Sequence, residues 1–160
     1  MGAGKSGIYS NTYGSLAVPG SVDYMSFNDN FSKFIRKRKD IDRNGFYDVI
    51  AHGTSTTIEI QNNGISIEID HRMASKIFKK NSDLKNKSIR LFSCDTGAES
   101  EGFAQNLANK LNVIVEAPTK KVWVYPNGRY FVAGSRQDAP KKPDYSNRGC
   151  FKKFYPGGKQ

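Results

Sequence analysis

Hydrophobic and polar positions follow two different periods along this 160-residue chain, and the switches between them mark its elements. Thr57-Ile58-Glu59-Ile60 and Ile65-Ser66-Ile67-Glu68-Ile69 alternate with period two around Asn62-Asn63-Gly64, the strongest short-range signal for a β-hairpin. Val122-Trp123-Val124-Tyr125 and Arg129-Tyr130-Phe131-Val132 repeat the pattern around Pro126-Asn127-Gly128 and predict a second hairpin. Three mainly apolar runs, Phe46 to Ala51, Ser88 to Ser93 and Asn112 to Ala117, predict buried strands. Helical spacing places Phe31, Phe34 and Ile35 on one face of a helix from Asn28 to Lys39, capped by Asn28 or Asp29. The same spacing puts Met73, Ile77 and Phe78 on the inner face of a helix from Asp70 to Lys80. Phe103, Ala104, Leu107, Ala108 and Leu111 line a third, from Ser100 to Leu111.

Strands that alternate with helices predict an α/β fold: a mostly parallel sheet flanked by helices, with right-handed crossovers and the two hairpins as additions. The length suits one domain. Residues 1–27, rich in Gly, Ser, Tyr and Asn, predict a loosely ordered lead-in with Ser15-Leu16-Ala17-Val18 as a short edge strand. Residues 28–134 are expected to form the α/β domain that carries any catalytic residues, and the Pro-, Lys- and Gly-rich residues 135–160 an irregular tail packed on it. Gly4-Lys5-Ser6 lacks the earlier glycine and the preceding strand that a phosphate-binding P-loop needs.

Charge adds a constraint on partners. The chain carries 25 Lys+Arg against 15 Asp+Glu, a net charge of +10, which raises encounter rates with nucleic acid, anionic membranes or an acidic protein without choosing among them. Lys33, Arg36, Lys37, Arg38 and Lys39 are expected on the solvated face of the first helix. No apolar stretch approaches the roughly 20 residues of a membrane span, and no apolar signal region follows Met1. The expectation is a chain that works in a cytosol or is cut from something larger.

The candidate chemistry sits where two of the buried runs end. Asp48-Val49-Ile50-Ala51-His52-Gly53 and Ile89-Arg90-Leu91-Phe92-Ser93-Cys94-Asp95-Thr96-Gly97 each break into a small-residue turn just after a reactive side chain. Open α/β sheets place ligands at the carboxyl ends of their strands. Parallel neighbours would therefore bring an imidazole and a thiol to one sheet edge, the minimum for a cysteine nucleophile. A free thiol is mostly protonated at neutral pH, so a nearby imidazole is needed to take its proton and later protonate the leaving group. The Gly53 and Cys94 N–H groups can hold an oxyanion. A zinc site is a poor competitor, because His71 is the one further histidine and no second cysteine lies within two to four residues of Cys94. His71 is expected at a surface or capping position. With Cys94 and Cys150 as its only cysteines the chain has no disulfide scaffold, and a bridge between the two would consume the nucleophile.

The arrangement resembles the caspase-like cysteine peptidases, a clan that includes caspases, gingipains, clostripain and the self-cleaving domain of large bacterial repeat toxins. The resemblance lies in the His52-Gly53 pair ending one strand and Cys94 ending the next. From Phe46 onward the chain is also similar to a domain at the C-termini of bacterial polymorphic toxins. The shared stretches are Ala51-His52-Gly53, Ile89 to Gly97, Gly102-Phe103-Ala104-Gln105, Ala117-Pro118-Thr119 with Val122-Trp123-Val124, and Phe154-Tyr155-Pro156-Gly157-Gly158. The resemblance implies a caspase-like sheet and a cysteine peptidase with His52 and Cys94 catalytic and Gly53 and Cys94 at the oxyanion. Ser93, Asp95, Thr96, Thr119 and Trp123 would then line the substrate rim, with no cofactor and no metal. It also implies a toxin domain secreted as part of a larger effector, acting on a protein in the target-cell cytoplasm and neutralised by a cognate acidic immunity protein. Two readings of other classes stay open: a basic toxin nuclease that binds RNA and uses His52 as its acid–base group, and a scaffold in which both residues merely pack.

Overall fold

A computed structural model describes residues 20–26, 28–41, 43–62 and 64–158. The expected edge strand at Ser15 to Val18, and most of the lead-in, lie outside the described residues. The elements are β1 (Ser21–Asp23), α1 (Asn30–Ile35), β2 (Tyr47–Ile50), β3 (His52–Gly53), β4 (Thr57–Asn62), β5 (Ile65–Asp70), α2 (His71–Lys79) and β6 (Ile89–Phe92). They continue with α3 (Phe103–Leu111), β7 (Val115–Pro118), β8 (Lys121–Val124), β9 (Tyr130–Ser135), β10 (Pro143–Arg148) and β11 (Phe151–Phe154). The fold is α/β.

The central sheet has the strand order β1-β2-β6-β7-β11. Its first four strands run parallel, and β11 runs antiparallel to β7. Alternation along the strands divides the core between the two faces. Tyr47, Val49, Ile89 and Leu91 face α2 and α3 in the larger cluster, against Ala74, Ile77, Phe78, Phe103, Leu107 and Ala108. Ile50 and Phe92 face the other way and pack with Met25, Ile35 and Val122, covered by α1 and β8. Both predicted hairpins form, as β4–β5 and β8–β9, and each belongs to a small sheet of three strands, β3-β4-β5 and β10-β9-β8.

Several expectations are corrected. The tail is not irregular: β10 completes the second small sheet and β11 closes one edge of the central sheet, Phe154 pairing with Val115. The lead-in is not loose throughout, since β1 pairs with β2 and its three residues are buried. The strand expected at Asn112 to Ala117 begins only at Val115, because Asn112 takes a left-handed conformation (φ 56°) that ends α3. Met73 is 40% exposed rather than inward; Ala74, Ser75, Ile77 and Phe78 form the buried face of α2.

The first helix stops at Ile35 instead of Lys39, and the reason is Arg38. Its side chain, expected in solvent, is 1% exposed. Its Nε and Nη2 donate to Asp48 Oδ2 at 3.0 and 2.7 Å, and its Nη1 donates to the Ile35 carbonyl at 2.8 Å. Arg90 Nε meets Asp48 Oδ1 at 2.7 Å, and its Nη1 reaches Asp40 at 3.0 Å. Two guanidiniums thus share one buried carboxylate beneath the sheet, with every Asp48 oxygen satisfied, as buried charge requires. Both lie over the Phe92 ring, at 5.0 and 4.6 Å from its centroid.

Candidate active site

The parallel pairing of β2 with β6 sets Ile50 opposite Phe92. His52 and Cys94 each follow two residues later, so both leave the carboxyl end of the central sheet from adjacent strands. Ala51 N–H still bonds the Phe92 carbonyl, at 3.3 Å. Beyond it the chain turns into β3, where His52 pairs with Glu59 and Gly53 with Ile58. Thr54 N–H bonds Thr57 O at 2.9 Å. Antiparallel pairs alternate between bonded and non-bonded, so the Gly53 pair is a non-bonded one. The Gly53 N–H therefore points away from β4, to the side of β6 and Cys94.

Gly53 has no room for a side chain. A Cβ there would lie 2.9 Å from the Cys94 carbonyl oxygen, 2.9 Å from Thr96 Cγ2 and 3.0 Å from Ser93 Cβ. The backbone of the His52 loop is thus in direct contact with the Cys94 loop. That loop is held from several directions. Asp95 takes a left-handed conformation (φ 64°) and its N–H bonds the Lys120 carbonyl at 3.0 Å. Gly97 N–H bonds the Pro118 carbonyl at 2.8 Å, and the Thr96 hydroxyl donates to the Ser93 carbonyl at 2.8 Å.

His52 is oriented by a residue that sequence reasoning assigned only to helix capping. Its Nε2 lies 2.6 Å from Asp29 Oδ2. Asp29 Oδ1 simultaneously accepts the Phe31 N–H at 2.9 Å and caps α1. An anionic carboxylate receives a proton from Nε2, which leaves Nδ1 as the basic nitrogen of the neutral ring. The imidazole is 49% exposed, at the surface. In the sequence, only the position of Asp29 just before a helix hinted at any role, because its histidine partner is 23 residues away.

Cys94 is half-buried, packed against the smaller core cluster. Its sulfur accepts the Val122 N–H at 3.3 Å, and the thiol faces the Val122 carbonyl at 4.0 Å. Burial pushes the thiol above the ordinary cysteine range, and the Val122 N–H and the nearby Lys121 only partly oppose this. Sulfur and imidazole are each hydrogen-bonded elsewhere, to Val122 and Asp29, and not to one another.

The expected rim residues divide. Asp95 and Trp123 keep partial exposure. Asp95 pairs with Lys121 at 3.4 Å, and Trp123 Nε1 donates to the Ala133 carbonyl at 2.9 Å. Ser93 and Thr96 are sealed inside, so their side chains cannot meet a substrate; the Thr96 hydroxyl braces the loop, whereas the Ser93 hydroxyl has no partner among the described residues. The Thr119 hydroxyl accepts the Cys150 N–H at 3.0 Å and is committed to anchoring the start of β11. Both cysteines are free thiols. His71 is the first residue of α2, capped by the Asp70 side chain. Among the described residues, no group of three His, Cys, Asp or Glu side chains is arranged to hold a metal ion, and no helix is long and apolar enough to cross a membrane.

Comparison with known proteins brings no match among curated proteins and none among solved structures. A family match does cover residues 20–132, the stretch that contains Asp29, His52, Gly53 and Cys94. The chain belongs to the family described as Domain of unknown function (DUF8616).

Proposed function

We propose that the protein is a cysteine hydrolase, and specifically a peptidase, in which Cys94 is the nucleophile and His52 the proton carrier, positioned by Asp29. The observation that carries this reading is the contact of the Gly53 backbone with the Cys94 loop, at the shared carboxyl edge of β2 and β6. It supports the convergence of thiol, imidazole and two N–H donors that acyl transfer needs.

Because burial keeps the resting sulfur protonated, the reaction begins with proton transfer to His52 rather than from a stored thiolate. The sulfur then attacks the substrate carbonyl carbon, and the Gly53 and Cys94 N–H groups receive the developing oxyanion. The imidazolium, stabilised by Asp29, protonates the leaving amine as the C–N bond breaks. Water, deprotonated by His52, next attacks the thioester carbon and releases the acid and the Cys94 thiol. Rotation of the sulfur away from Val122 is part of the first step.

The motifs from Phe46 onward support a biological setting within the same proposal: a toxin domain of a larger secreted effector, acting in the target-cell cytoplasm on a protein substrate. A cognate immunity protein of acidic surface would suit the net charge of +10. The test is induced expression in a bacterial cytoplasm. The parent should arrest growth, while Cys94→Ser and His52→Ala should not, at equal protein levels. Arrest by Cys94→Ser equal to the parent would refute a sulfur nucleophile.

A further inference from the structure

The outer face of the β8–β9–β10 sheet carries two of the four exposed large hydrophobic side chains among the described residues. Val122 and Val132 point into the core, so alternation turns Lys121, Trp123, Tyr125 and Phe131 outward. Register places Trp123 opposite Phe131. Tyr125 packs on Phe131 with centroids 5.6 Å apart, and Tyr145 of β10 stacks on the same ring at 5.3 Å and 19° between planes. The Arg148 guanidinium lies 5.1 Å from the same ring. Tyr145 is 58% exposed and Tyr125 43%. A depression of about 680 Å³ opens beside Tyr145, bordered by Arg136, Asp138, Lys142, Asp144 and Asn147.

We propose that this face binds single-stranded RNA. The exposed rings of Tyr125 and Tyr145, seated on Phe131 beside Trp123, together with the Arg148 and Lys121 cations, match what unpaired bases and their phosphates require: ring faces for stacking and Arg or Lys for the backbone. Duplexes keep their bases stacked on one another and have none to offer these rings. The Tyr125 and Tyr145 hydroxyls lie 3.2 Å apart and bond each other, which uses one of their two hydrogens and leaves one for a 2′-hydroxyl. An excess of ten positive charges supplies the long-range attraction. Charge alone would draw an acidic protein equally; the rings are what select bases. Lys121 joins this face to the Cys94 loop through Asp95. The binding inference does not depend on the hydrolase chemistry.

Trp123 is the one tryptophan of the chain and reports on the face directly. The experiment titrates the full chain into a fluorescein-labelled, unstructured RNA of about 12 nucleotides, following anisotropy and Trp123 emission. Saturable binding with quenching is expected, weakening about tenfold or more between about 50 and 200 mM salt. Tyr145→Ala, a change at an exposed site, should weaken binding about tenfold. Arg148→Gln should lower the salt slope by about one. Cys94→Ser should bind as the parent does, whatever becomes of its toxicity. The proposal is overturned by absence of binding, by equal affinity of Tyr145→Ala and the parent, by duplex RNA or single-stranded DNA binding as tightly, or by polyglutamate competing as well as RNA.

Discussion

Asp29 Oδ2 stands 2.6 Å from His52 Nε2, and the other oxygen of the same carboxylate caps α1. One side chain therefore serves stability and orientation, and the two roles are separable. Asn is as good an N-cap as Asp, whereas Ala costs about 1 kcal/mol. Asn lacks the charge that stabilises an imidazolium. Asp29→Asn should keep the melting temperature within about 2 °C yet lower hydrolase activity by about tenfold or more. Asp29→Ala should lose both, and comparing thermal melts with activity checks the pair.

Gly53 supplies a second prediction. A methyl group there meets the Cys94 carbonyl oxygen at 2.9 Å, and that backbone is strapped to the β7–β8 turn through Asp95 and Gly97. Gly53→Ala should destabilise the fold by about 1–3 kcal/mol, the range for overpacking, and move Cys94 relative to His52. Urea unfolding gives the first effect. A loss of activity that persists far below the melting transition gives the second.

The Arg38–Asp48–Arg90 cluster predicts a larger effect with no chemistry involved. Asp48→Asn leaves two guanidiniums facing one another inside the protein, with side chains 1% and 6% exposed. Removing one partner of a buried ionic group costs about 3–5 kcal/mol. Chemical denaturation should show the loss.

Asp40 makes part of the stability pH-dependent. Burial alone would raise its carboxyl, but the Tyr130 hydroxyl and the Arg90 guanidinium outweigh burial and hold it below the ordinary range. A folded-state pKa depressed below the unfolded value contributes stability above about pH 4 and loses it as pH falls through the folded value. Asp23, pushed upward mainly by burial, acts in the opposite sense. Asp40→Asn should therefore shrink the stability difference between neutral pH and the acid side of about pH 4. Urea midpoints across that window are the measurement.

Much of the fold was legible because its signals are local. Asn62-Asn63-Gly64 and the flanking alternation define a hairpin without help from the rest of the chain, and β6 announces itself as an apolar run. β11 does not: Phe151 and Phe154 flank two lysines with no strand period, and its partner β7 is distant in sequence. The early end of α1 was hidden for a related reason, since Arg38 bonds a carboxylate ten residues away on another element. The candidate site divides the same way. His52 and Cys94 stand out at strand ends, whereas Asp29 acquires its role only when β1 and β2 lie side by side. Ser93 and Thr96 adjoin the proposed nucleophile, and no periodicity reveals that they point inward.

Alkylation of Cys94 by iodoacetamide tests the pairing of sulfur and imidazole most directly, read by mass spectrometry against the exposed Cys150 as internal control. The rate at Cys94 should depend on pH and should fall about tenfold or more in His52→Ala, with Cys150 unchanged in both proteins. A Cys94 rate that is the same with and without the imidazole would contradict the account.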